Sequence, residues 1–143
     1  MSSGGPQETQ RIQGTNGTRG IKKRRVVLLG ATGSIGESTI RVARALPAQI
    51  EIVGLSGKNN SAKLLKLAHE FPSASLCAGD EAAAAHLSAK LSGRPVHHGA
   101  EGLDHLASLP EAELVLIAIV GTAGLRPALK ALEAKKDLAV ASK

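Results

Sequence analysis

Gly30, Gly33 and Gly36 stand three residues apart, directly behind the apolar run Val26, Val27, Leu28 and Leu29. Each position suits a residue without a Cβ. One lets the chain turn tightly out of a strand, one lets a phosphate approach main-chain N–H groups, and one lets a helix pack closely on that strand. Ile40, Val42, Ala43 and Leu46 then recur at helical spacing. The first N–H groups of a helix have no partner within it, and its macrodipole is positive at that end. The chemistry open to this stretch is therefore the holding of an anion at a strand–turn–helix junction. A nucleotide-hydrolysing phosphate loop needs Lys and then Ser or Thr after its last glycine, whereas Glu37 follows Gly36 here, which argues against that chemistry.

A dinucleotide site needs more than glycines: a second strand must follow about 20 residues on. Residues 50–55 (Ile-Glu-Ile-Val-Gly-Leu) supply it and lead into Ser56, Gly57, Lys58 and Asn59. In NAD-preferring domains an acidic side chain at this place grips the ribose hydroxyls and would repel a 2′-phosphate. Lys58 stands here with no carboxylate beside it, so NADP is favoured over NAD.

Other chemistries fare less well. Cys77 is the single cysteine, which excludes an intrachain disulfide, and with no basic partner nearby it reads as a small buried hydrophobe. His97 and His98 are adjacent on an expected strand, so their rings point to opposite faces and cannot readily share an ion. Phe71 is the only aromatic residue apart from histidine, which leaves no stacking platform for nucleic acid. The net charge of +6 is concentrated at the start: residues 1–25 hold six basic residues and one acidic, the remainder twelve and eleven. The folded body is thus near neutral, and nucleic acid is not an expected partner.

The elements that must position these residues follow from the rest of the chain. At 143 residues there is room for one domain with a real core. No apolar run reaches the roughly 18 residues of a membrane span, and no secretory signal is evident, so a soluble, cytoplasmic protein is expected. Residues 1–24, polar, arginine-bearing and nearly free of acids, read as a disordered basic leader, and residues 25–143 as the dinucleotide-binding domain. Ser61 is expected to cap a helix to about residue 70, with Leu64, Leu65, Leu67 and Ala68 as its buried stripe. Residues 74–78 suggest a short strand, Asp80 the cap of a helix to about residue 91, residues 96–98 an edge strand, and residues 101–108 a brief helix. Residues 114–120 form the longest apolar run and predict a strand covered on both faces. Residues 118–121 at its end are expected to line a cofactor. A helix over 125–134, with Pro127 in its first turn, and a strand over 138–141 complete an α/β, doubly wound parallel sheet of Rossmann type.

Taken together, Gly-Ala-Thr-Gly-Ser-Ile-Gly, Ser-Gly-Lys-Asn, Ala-Ile-Val-Gly-Thr-Ala-Gly-Leu-Arg-Pro and Ala-Ser-Lys resemble the amino-terminal domain of the 1-deoxy-D-xylulose 5-phosphate reductoisomerases, over about residues 25–143. The resemblance implies part of an NADPH-dependent enzyme of non-mevalonate isoprenoid biosynthesis. That enzyme isomerises and reduces a phosphosugar to 2-C-methyl-D-erythritol 4-phosphate with a divalent metal, Mg or Mn, and is a homodimer when complete. It further implies that Thr32, Gly33, Ser34 and Ile35 hold the pyrophosphate, that Gly57, Lys58 and Asn59 meet the adenosine end, and that Ala118, Ile119 and Val120 lie near the nicotinamide half. The family signature Ala-Asn-Lys-Glu reads Ala141-Ser142-Lys143 here, with Ser142 in place of the cofactor-contacting Asn and Lys143 as the substrate contact. The metal ligands fall beyond the matched residues, so the chain by itself is expected to be inactive. Two other readings remain open on the residues alone. One is a non-catalytic NADP-binding sensor or regulatory module. The other, an extended short-chain dehydrogenase, needs a catalytic tyrosine, and the chain has none.

Overall fold

The computed structural model describes residues 23–141. Its central strand is β1 (Arg24–Leu29), where Val26 to Leu29 are all buried. Consecutive apolar residues without a polar alternation require cover on both faces of the sheet, and the fold provides it. Val26 and Leu28 point into one core with Ile40, Leu55, Leu64 and Leu76. Val27 and Leu29 point into the other with Val53, Leu106, Val115 and Ile117. This is the two-residue side-chain period of a strand serving two layers of helix.

Around β1 lie β2 (Ile50–Gly57), β3 (Ser75–Ala78), β4 (Val96–His98), β5 (Leu114–Ile117) and β6 (Asp137–Val140). Among the described residues they form one all-parallel sheet of order β4-β3-β2-β1-β5-β6. The helices are α1 (Ser34–Ala45), α2 (Ser61–Glu70), α3 (Glu81–Lys90), α4 (Gly99–Ala107) and α5 (Leu125–Glu133). From β1 the chain steps outward through β2, β3 and β4, then returns to the other side of β1 at β5. The order reverses between β1 and β5, and the connections there leave the sheet in opposite directions, which opens a crevice at the carboxyl ends of the strands. The expected doubly wound α/β sheet is thus present.

Several local expectations need correction. The strand expected over 114–120 ends at Ile117. Ala118 still donates its N–H to the Leu29 carbonyl at 2.8 Å, but the chain then peels away and Val120 is 81 % exposed. Gly121–Gly124 forms a 3₁₀ turn ahead of α5, which the sequence pattern does not announce. The cap of α2 is Asn60, not Ser61: its side chain accepts the Lys63 N–H at 3.0 Å. In α1 Ile40 and Ala43 are buried while Val42 is exposed, and so is Leu46 just past its end. Val42 lies two residues past Ile40, about 200° around the helix, and so faces away from the sheet. The leader expected over residues 1–24 lies, up to residue 22, outside the described residues, and Arg24 already opens β1.

Arg94 fastens one edge of this frame. Its guanidinium donates to the carbonyls of Ala68 at 2.8 Å, Phe71 at 3.0 Å, and Ala74. Burial pushes its pKa down from the ordinary arginine value. Carbonyls at and just beyond the end of α2 are thereby satisfied by a charged donor, as an exposed helix end requires. Arg94→Met is expected to lower the unfolding free energy by about 1–2 kcal/mol, since the stem is kept and only charged hydrogen bonds are lost. The check is a urea midpoint that falls at unchanged slope.

Candidate functional site

The glycine turn is held from β2. Gly30, at φ +94°, gives its N–H to Ser56 Oγ at 2.9 Å, and Ala31 gives its own to the Ser56 carbonyl at 2.7 Å. Ser56 is buried, so the first two amides after β1 are occupied inside the protein. Beyond them Gly33 is the residue before α1, extended at φ −86° and carrying no capping side chain. The Glu37 N–H reaches the Gly33 carbonyl at 2.9 Å, whereas those of Ser34, Ile35 and Gly36 have no acceptor among the described residues. A row of unpaired donors therefore stands at the positive end of a twelve-residue helix.

A second tie comes from α2. Lys63 Nζ donates to the Thr32 carbonyl at 3.2 Å and pairs with Glu37. The lysine's hydrogen bond and charge hold the Glu37 carboxyl below the usual carboxylate range. The turn is thus tied to both β2 and α2.

The cleft beside it has a volume of about 570 Å³. Gly30, Thr32 and Gly33 form one wall, Gly57, Lys58 and Asn59 at the end of β2 a second, and Ala118, Ile119 and Val120 after β5 a third. Ser34, Ile35 and Gly36 open α1 next to them. Most of the sequence-predicted residues therefore converge on one place, although they come from three strand ends. Ser142 and Lys143 lie outside the described residues.

Other parts of the cleft had little sequence signal. Ser56 reads as an ordinary strand residue until its contact with Gly30 is seen. Gly79 faces Lys58 so closely that a Cβ would lie 2.9 Å from the Lys58 carbonyl oxygen. Gly99, Ala100 and Leu103 bring the start of α4 to the cleft, and Thr122, Ala123 and Arg126 bring the start of α5. Arg126 did leave a trace: a cation in the first turn of a helix opposes the macrodipole and calls for a reason. Among the described residues the only charged ones lining the cleft are Lys58 and Arg126, and no carboxylate lines it.

Two expectations about other residues can be placed here. Cys77 is buried in the cleft floor, and burial pushes its thiol up to about 12, so it remains a thiol near neutral pH, as a core residue and not a nucleophile does. The His97 ring lies 4.1 Å from that of His105 on α4, while His98 immediately precedes that helix. Burial, and secondarily the charges of His105 and His98, lower the pKa of His97. Among the described residues no group of three His, Cys, Asp or Glu could hold a metal ion, and no helix is long and apolar enough to cross a membrane.

The donor set fits a dinucleotide: unpaired amides for a pyrophosphate, open space at Gly33 for its approach, and two cations on a lining that, among the described residues, carries no carboxylate. The sequence profile of 1-deoxy-D-xylulose 5-phosphate reductoisomerase matches residues 26–143. Curated relatives of that name include those of Protochlamydia amoebophila, 39 % identical over 118 residues, and Pelotomaculum thermopropionicum, 41 % identical over 122 residues. In both comparisons the alignment covers 82 % of this chain and 31 % of the relative, so the chain spans about a third of their length. A crystal structure of DOX-P reductoisomerase in complex with NADPH, fosmidomycin and magnesium superposes with a TM-score of 0.76 at 38 % identity, covering 80 % of this chain and 29 % of that one. The Zymomonas mobilis enzyme in complex with NADPH gives a TM-score of 0.77 at 28 % identity, covering 85 % and 32 %. The profile match, the identities and the superpositions agree, and the chain belongs to the 1-deoxy-D-xylulose 5-phosphate reductoisomerase family.

Proposed function

We infer that residues 25–143 are the NADPH-binding part of a 1-deoxy-D-xylulose 5-phosphate reductoisomerase. The observation that carries this reading is the row of unpaired amides at Ser34, Ile35 and Gly36, set beside a cleft whose charged lining among the described residues is cationic. Thr32, Gly33, Ser34 and Ile35, with Gly30 and Gly36 shaping the turn, receive the pyrophosphate. Gly57, Lys58 and Asn59 receive the adenosine end, with the Lys58 ammonium on the 2′-phosphate. Ala118, Ile119 and Val120 lie along the nicotinamide half, where NADPH supplies a hydride for reduction of the rearranged phosphosugar. Ser142 extends the cofactor contacts and Lys143 meets the substrate.

The divalent metal of the complete enzyme, Mg or Mn, is held by residues further along the family's length than the stretch matched here. The complete enzyme works in the cytoplasm as a homodimer. The exposed row Leu125, Leu129 and Leu132 on α5 supports a further packing partner for this domain. The family match argues against a free-standing NADP sensor.

Titration of the 143-residue chain with NADPH, followed by nicotinamide fluorescence and calorimetry, tests the assignment, and a flat titration overturns it. Lys58→Glu is expected to narrow the preference for NADPH over NADH by about 1–3 kcal/mol, the scale of one charge-assisted contact. Equal weakening of both nucleotides would remove Lys58 from the 2′-phosphate.

A further inference from the structure

Neither the glycine turn nor Lys58 accounts for Arg126. It stands at the second position of α5, where a cation faces the positive end of the helix. Asp104 of α4 keeps it there, with Oδ2 2.6 Å from Arg126 Nε. Asp104 is only 9 % exposed, and its Oδ1 has no hydrogen-bond partner among the described residues. A buried carboxylate with an orphaned oxygen is unfavourable for folding, and so is a cation at that helix end. Their joint result is a guanidinium fixed at the cleft wall with its Nε side turned to Asp104.

The sheet order sets this guanidinium opposite Lys58. β2 leads to Lys58 on one side of β1, and β5 leads to the Arg126 segment on the other. The glycine turn that follows β1 lies between the two cations.

We propose that Arg126 is a second cofactor-contacting cation of the cleft, engaging the pyrophosphate from the side opposite α1, and that Asp104 is its positioning residue. This rests on the reading of the cleft as a dinucleotide site. A guanidinium presents paired donors that match phosphate oxygens, and binding through Nε to Asp104 leaves both Nη groups for the ligand. The pyrophosphate is common to NADPH and NADH, so Arg126 serves both alike, whereas Lys58 separates them.

The test uses the 143-residue chain, titrated with NADPH and with NADH at low and high salt, as wild type, Arg126→Met, Asp104→Asn and the double variant. Arg126→Met leaves the buried Asp104 without its cation and is expected to cost stability, so circular dichroism and a urea titration establish that each variant is folded before it is titrated. Arg126→Met is expected to weaken both nucleotides by the same factor, about tenfold, and to flatten the salt dependence. Asp104→Asn is expected to weaken both less, and the double variant to match Arg126→Met, because a holder has nothing left to hold. Unchanged affinity in Arg126→Met overturns the proposal. So does weakening of NADPH alone, which would place the cation at the 2′-phosphate, or losses that simply add in the double variant. A wild type that binds neither nucleotide overturns the reading of the cleft itself, while a binding wild type beside an indifferent Arg126→Met overturns only the role of the arginine.

Discussion

Replacing Gly33 with valine is expected to abolish NADPH binding while leaving the folded chain within about 1 kcal/mol of its original stability. The two halves of that outcome have separate causes. Gly33 has φ −86° and ψ 179°, an extended conformation open to any residue, and a Cβ built there meets nothing within 4 Å. Within the protein a valine is therefore tolerated, apart from the modest preference for glycine over valine before a helix. Gly33 lines the cleft, however, directly ahead of Ser34, Ile35 and Gly36, so a side chain there takes space that a phosphate on their amides needs. A branched side chain there holds a phosphate beyond hydrogen-bond reach of those donors, and the field of the helix end falls off within the first turn. Calorimetry with NADPH and a urea titration of the same variant give both halves. Undiminished affinity would exclude the turn as the pyrophosphate site, and gross destabilisation would show that Gly33 serves the fold.

How much of this was legible in the sequence depends on how far along the chain each cause acts. The glycine turn, the apolar run of β1 and the Asp80 cap, whose Oδ1 accepts the Ala83 N–H at 2.8 Å, rest on neighbours a few residues away and could be read directly. Lys58 could be read because the distance from a glycine turn to the end of the next strand is set by the fold class. Ser56 could not, because its contact with Gly30 spans 26 residues and a serine in a strand has many other uses. Lys63 spans a similar distance to Thr32 and reads as a solvated helix charge until its carbonyl partner is known. The end of β5 is hidden in the sequence for a related reason. Ala118, Ile119 and Val120 are as apolar as the strand before them, and their departure from the sheet is dictated by the crevice and the 3₁₀ turn, not by their own side chains. Likewise the spacing after the glycine turn suggests an apolar face that includes Val42 and Leu46, whereas Gly36, Ile40 and Ala43 are the buried positions of α1. Small residues at the contact carry little hydrophobic signal, and here they are what let the helix come close.

That closeness makes Gly36→Ala the converse experiment. A Cβ at Gly36 would press on the Gly30 carbonyl oxygen and lie 2.6 Å from the carbonyl carbon and oxygen of Ala31. All of these are backbone atoms, so no flexible side chain can yield. Gly30 cannot retreat either: it is held at φ +94°, its own Cβ position is 2.5 Å from the Ala118 carbonyl oxygen, and its N–H is bound to Ser56. In an open helix the same substitution would stabilise by about 0.8–1 kcal/mol through helix propensity, so any net loss measures the clash. Overpacking against fixed neighbours costs about 1–3 kcal/mol and occasionally more, and rigid backbone on every side puts this site at the upper end. Gly36→Ala is therefore expected to lower the unfolding free energy by about 2–4 kcal/mol and, in the fraction that remains folded, to weaken NADPH by moving α1 away from β1 and turning its amides off the cleft. Valine at 33 and alanine at 36 thus separate the two uses of neighbouring glycines: one loses the ligand and keeps the fold, the other loses stability first. A Gly36→Ala chain with unchanged urea midpoint and unchanged NADPH affinity would show that α1 does not need to touch the turn, and the arrangement of donors inferred from it would fall.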